Sequence, residues 1–92
     1  ALFMASQNGH SDVVKLLLNV EGVDVNQARN EDGATALCMA SYNGHLDVVK
    51  LLLGVEGINI NQTKNNGATA LTMANRNNHT EIAQLLTNAG AQ

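Results

Sequence analysis

The stretch GATALCMASYNGHLDVVKLLLGVEG, beginning at Gly33, returns from Gly67 as GATALTMANRNNHTEIAQLLTNAGA. A third version, ALFMASQNGHSDVVKLLLNVEG, starts at Ala1 and lacks the opening. Gly33 and Gly67 are 34 residues apart, as are His45 and His79, whereas His10 and His45 are 35 apart. Self-similarity at such a period constrains the fold more than any other feature of the chain. Each unit is too short to bury its own apolar side, so successive units must stack and shield one another. The extra residue lies in VDVNQARNEDG as against ININQTKNNG, in a loop, where added length carries little entropic cost.

Within each copy the pattern reads helix, tight turn, helix, extended loop. Thr35 is placed to cap the first helix, its hydroxyl accepting from an N–H of the first turn. Leu37, Met39 and Ala40 follow on one side. Gly44 ends that helix in a left-handed conformation, where glycine meets no steric penalty. The last copy has Asn78 there, the ordinary residue that best tolerates the same backbone. In the second helix Val48, Val49, Leu51 and Leu52 form an apolar stripe, Lys50 points to water, and Asp47 complements the dipole of the first turn. After Gly57 the residues INI alternate, as VDV does after Gly22, which predicts a short extended arm turning at an Asn- and Asp-rich tip. Helices shorter than about 12 residues are marginal alone in water, so the repetition itself supplies the core.

Composition narrows the function. Hydrophobic residues make up 45% of the 92, aromatics only 2%, and there is no Pro or Trp, so the core is aliphatic. A net charge of −3, with Lys15, Arg29, Lys50, Lys64 and Arg76 dispersed, does not suit a general phosphate-backbone binder. The single cysteine, Cys38, has no internal disulfide partner, which fits a reducing, cytoplasmic compartment. No apolar run approaches bilayer length.

The segment GATALCMASYNGHLDVVKLLLGVEGININ resembles the ankyrin repeat pattern G-x-T-P-L-H-x-A-x-x-x-G-H-x-x-V-V-x-L-L-L-x-x-G-A-D-V-N. The chain is thus identified as similar to the ankyrin repeat family over essentially its whole length. The resemblance implies an all-α repeat solenoid of stacked helix-turn-helix units with short β-hairpin fingers. It divides into a partial repeat at 1–32, a repeat at 33–66 and a C-terminal capping repeat at 67–92, a single domain expected to be a fragment of a longer array. Ala36 and Ala70 replace the family's Pro, and Phe3, Cys38 and Thr72 replace its His. Glu21 and Glu56 lengthen the turn after the second helix and are expected in exposed, widened turns. Asn75, Asn78, Gln84 and Thr87 soften the last copy as a capping repeat requires, whereas the first copy keeps LFMA and VVKLLL apolar. That uncapped end is expected either to follow further repeats, the favoured reading, or to support weak self-association. With fewer than three complete repeats, marginal stability follows.

The three histidines recur one per copy and would sit a helix-packing distance of about 8–10 Å apart, too far to share one Zn²⁺; hydrogen bonds holding the inter-helix turn account for them better. Cys38 lacks a dedicated His–Asp partner and reads as a small packed side chain. The loop DVNQARNEDG places Ala28 where a Ca²⁺ ligand should stand. No metal, cofactor or catalytic residue is expected. The resemblance implies a non-catalytic protein–protein interaction module. The resemblance places partner-binding residues on the concave face, at the finger tips and first-helix ends: Gln7, Asn8, Arg29, Glu31, Asp32, Tyr42, Asn43, Lys64, Asn65, Asn66, Arg76 and Asn77. Tyr42 and Arg76 occupy equivalent positions in adjacent copies and belong to residue types enriched at binding hot spots. The alternatives are a regulatory or targeting segment of a larger enzyme, channel or effector, or a structural fragment with no partner of its own.

Overall fold

The structure, a computed structural model, describes residues 2–91; Ala1 and Gln92, the outermost residues of the expected first and last copies, lie outside the described residues. It contains α1 (Leu2–Gln7), α2 (Ser11–Leu18), α3 (Ala36–Tyr42), α4 (Leu46–Leu53), α5 (Ala70–Arg76) and α6 (Thr80–Asn88). The first helices α1, α3 and α5 form one layer, the second helices α2, α4 and α6 the other, and each pair packs on the next.

Local chemistry starts and stops these helices. The Thr35 hydroxyl accepts from the Cys38 N–H at 3.3 Å, and Thr69 caps α5 through Thr72 at the same distance. Gly44 (φ 77°) and Asn78 (φ 61°) turn the chain after α3 and α5 in the left-handed region, as their residue types require. Asp12, Asp47 and Glu81 stand in the first turns of α2, α4 and α6, where a negative charge offsets the helix dipole.

Leu37, Leu52 and Leu86 are almost completely shielded, as are Val48 and Val49. Burial of an aliphatic side chain of this size contributes about 1.5–3 kcal/mol. The middle copy is shielded most. In α3 the residues Ala36–Ser41 are all buried, not only the side bearing Leu37, Met39 and Ala40, because α1, α4 and α5 close on it from three directions.

The arms after Gly22 and Gly57 differ from the expected alternation. Among the described residues there is no strand. Each finger instead closes as a tight turn: the Arg29 N–H donates to the Ala34 carbonyl at 2.8 Å and Gly33 N–H to Arg29, while Lys64 N–H donates to Ala68. Adjacent arms are joined by a side chain. The Asn26 amide donates to the Gly57 carbonyl at 2.8 Å and accepts from the Asn59 N–H at 2.7 Å, so it takes the place of a neighbouring strand. Glu21 and Glu56 lie exposed in turns closed by Val23 and Ile58 N–H groups, as their spacing predicts.

Candidate protein-binding face and the joints behind it

At the end of each first helix the last carbonyl has no partner within the helix. The next copy supplies one. The Gln7 carbonyl accepts from His45 Nε2 at 2.9 Å and from the Asn43 amide at 3.0 Å. The Tyr42 carbonyl accepts from His79 Nε2 at 3.0 Å and from the Asn77 amide at 2.7 Å. A carbonyl can only accept, so both rings carry a proton on Nε2. The histidines therefore join one copy to the next, where the sequence placed them within a single turn.

The ring needs room, and glycine provides it. A Cβ on Gly9 would lie 2.6 Å from the His45 ring, and one on Gly44 would lie 2.7 Å from the His79 ring. These two glycines answer both a left-handed backbone and a close approach. Asn78 meets only the first demand, since no further copy follows it among the described residues.

The fingers carry the charged part of the face. Arg29 grips Asp32 with two contacts, Nε to Oδ1 at 3.1 Å and a terminal nitrogen to Oδ2 at 2.7 Å, while its guanidinium stacks 4.8 Å from the centroid of the Phe3 ring. Lys64 of the following finger reaches the same carboxylate at 3.7 Å. The Asp32 Oδ1 also accepts from the Ala34 N–H at 3.0 Å. Held first by the Arg29 hydrogen bonds and then by the Ala34 amide, the Asp32 carboxyl titrates well below the usual carboxylate range. The same pairing strengthens the hold of Arg29 on its proton. The fingers lock to each other through the Asn65 N–H, which donates to the Asp32 carbonyl at 2.8 Å.

These contacts sort the proposed partner-binding residues. Arg29, Asp32 and Lys64 are half-buried in the finger network, and Glu31, Asn65 and Asn66 are exposed at the tips. The Asn66 side chain accepts from the Ala68 N–H at 3.0 Å, the counterpart of the Asp32–Ala34 bond. Tyr42 is half-buried and Arg76 exposed, at equivalent positions on the ends of α3 and α5, which Asn77 ties together by its bond to the Tyr42 carbonyl. Asn43 and Asn77 use their amides to join copies. Gln7 is half-buried, and Asn8 is exposed with its amide unbonded among the described residues. The recurrence of Asn at 26 and 61 is the one signal by which the Asn26 clasp could have been found from the residues alone. Cys38 is buried, and no group of three or more His, Cys, Asp or Glu residues gathers as a metal site among the described residues.

The stacked pairs, the His–carbonyl joints and the fingers recur in register across a sequence that matches the family model for ankyrin repeats (3 copies) over residues 2–92. The chain is an ankyrin repeat protein. A search among curated proteins finds no match. Among solved structures, this ankyrin repeat chain is similar to a chain in the Bd0816 predatory endopeptidase from Bdellovibrio bacteriovorus in complex with immunity protein Bd3460. That similarity has a TM-score of 0.91 and 37% identity, over 100% of this chain and 47% of that one. The ankyrin repeat chain thus spans about half the length of the solved chain it matches. Ankyrin repeats in general mediate protein–protein contacts, and no described helix here is long and apolar enough to cross a membrane.

Proposed function

We propose that this ankyrin repeat chain is a non-catalytic module that binds a protein partner through its finger tips and first-helix ends. One observation carries the reading. The joint residues Asn43 and Asn77, His45 and His79, and the central Leu17, Leu52 and Leu86 repeat from copy to copy, whereas the outward positions change: Gln7, Tyr42 and Arg76 at the helix ends, and Arg29–Asp32 against Lys64–Asn66 at the tips. Tyr42 and Arg76, at equivalent positions on adjacent helix ends, supply the anchor, an aromatic ring and an exposed cation, and the charged fingers supply the rim. Function then rests on a few surface side chains held by a generic stack. Capture of a partner from the source cell, followed by affinity measurement with Tyr42→Ala and Arg76→Ala, tests this. A loss of tenfold or more is expected for the pair, about 1.4 kcal/mol or greater; unchanged binding refutes the anchor.

A second reading is favoured by the solved relative, which belongs to an endopeptidase–immunity complex. On that reading the partner is a peptidase. Titrating the chain into the Bd0816 endopeptidase and following peptide cleavage decides it, with inhibition near equimolar supporting the reading and undiminished cleavage excluding that enzyme as the partner.

A further inference from the structure

The pair Asn-Gly occurs three times, at Asn8–Gly9, Asn43–Gly44 and Asn66–Gly67. Such a pair carries its own chemistry, because no side chain on the glycine shields its backbone nitrogen. That nitrogen attacks the asparagine Cγ; the new Cγ–N bond forms, the Cγ–Nδ2 bond breaks, and the proton shed by the glycine leaves with the amide as ammonia. Water then opens the five-membered imide at one carbonyl to give aspartate, or at the other to give isoaspartate. Water is the sole co-reactant, and no oxidant or metal enters. What separates the three pairs is how firmly the fold holds the atoms that must move.

Two of them close helices. The Asn8 and Asn43 N–H groups donate to the Met4 and Met39 carbonyls at 3.1 and 3.0 Å, so ring closure must unwind the last turn of α1 or α3. Asn43 is held further by its Nδ2, the nitrogen that would leave, which donates to the Gln7 carbonyl at 3.0 Å. Asn66 is exposed in the second finger, and neither its N–H nor its Nδ2 is hydrogen-bonded among the described residues. Its Oδ1 instead accepts from the Ala68 N–H at 3.0 Å. That contact draws electrons from Cγ and stands where negative charge develops during the attack. The space beside Gly67 is open, with nothing within 4 Å of a Cβ placed there. One turn bond must give way, from the Gly67 N–H to the Lys64 carbonyl at 2.9 Å.

We propose that Asn66–Gly67 is a self-modification site, at which the second finger loses an amide and gains a negative charge without an enzyme. Aspartate at this place keeps the finger closed, since Asp32, one copy earlier, accepts from the Ala34 N–H in the same way. Isoaspartate routes the backbone through the side chain. It adds a methylene inside the turn that the Lys64 N–H and the Ala68 carbonyl close at 2.8 Å, and so loosens that finger.

The test is incubation of the folded chain in heavy-oxygen water, followed by digestion and mass spectrometry of the peptides that carry each pair. Position 66 is expected to take up label about tenfold faster than position 43, the margin that one further hydrogen bond provides. Uptake should quicken in mildly alkaline buffer, because the glycine nitrogen must shed its proton. In urea the three pairs should react at similar rates. Asn66→Gln, which would have to close a larger ring, should leave position 66 unlabelled and position 43 unaffected. Equal uptake at 43 and 66 in the folded chain overturns the inference. A lead for 66 that persists unchanged in urea does so too, since residue order and not the fold would then set it. Conversion at 66 that yields no isoaspartate also overturns it, because direct hydrolysis bypasses the ring.

Discussion

Gly44→Ala separates two demands that the structure places on one residue. The first is conformational: at φ 77° a Cβ is unfavourable by about 1–2 kcal/mol. The second is contact. The new Cβ would sit 2.7 Å from the His79 ring, so the ring must move, and its 3.0 Å bond to the Tyr42 carbonyl goes with it. Losing that bond removes about 1 kcal/mol more. Gly57→Ala is the control, for at φ 87° it meets the same backbone penalty with nothing within 4 Å of its Cβ. The reduced freedom of the unfolded chain favours both alanines alike and cancels. Urea unfolding followed by far-UV circular dichroism should therefore place Gly44→Ala below Gly57→Ala by about 1 kcal/mol or more. In a His79→Ala background the gap should close. Equal losses for the two alanines, or a gap that survives removal of the ring, would refute the claim that the turn glycine exists to admit the histidine of the next copy.

Leu52→Ala, at a position with no exposure, should destabilise by about 2–5 kcal/mol in the same assay, enough to unfold much of so small a stack. Among the described residues the buried Ser41 hydroxyl has no hydrogen-bond partner, so Ser41→Ala should raise stability by about 1 kcal/mol. Asp32 has a folded-state pKa depressed below its unfolded value, so its contribution is complete above the unfolded value near about 4 and lost as pH falls toward the folded one. The stability difference between the parent and Asp32→Asn should accordingly shrink as urea titrations are moved from about pH 5 to about pH 2.

Much of the stack was legible because its causes are local. Thr35 caps because a hydroxyl ahead of a helix can reach an N–H three residues on, and Asn78 marks a left-handed turn because few other side chains tolerate one. The stripe of Val48, Val49 and Leu52 declares a buried face by its spacing alone. What could not be read were contacts between residues far apart in the chain. His45 lies 38 positions from the Gln7 carbonyl it holds, and Asn26 lies 33 from the Asn59 amide it pairs with. Nothing in either neighbourhood says that a turn histidine should serve the preceding copy, or that an asparagine should stand in for a strand. The full burial of Cys38 and Ser41 likewise depends on helices closing from both sides.

The amino-acid order by itself determined the unit: two short helices, a glycine turn and a loop, repeated at a period that leaves each unit an unshielded aliphatic side. Backbone preference and side-chain periodicity act within a few residues, so they are written in the order of residues. Which groups meet when the units stack was decided only by the tertiary structure. Gly44 is there for His79 as well as for its own dihedral angle, the ends of α3 and α5 are tied because Asn77 binds the Tyr42 carbonyl, and the first copy is left with donors and apolar side chains open. Those meetings depend on the spacing and angle at which one helix pair settles on another, a property of the packed whole.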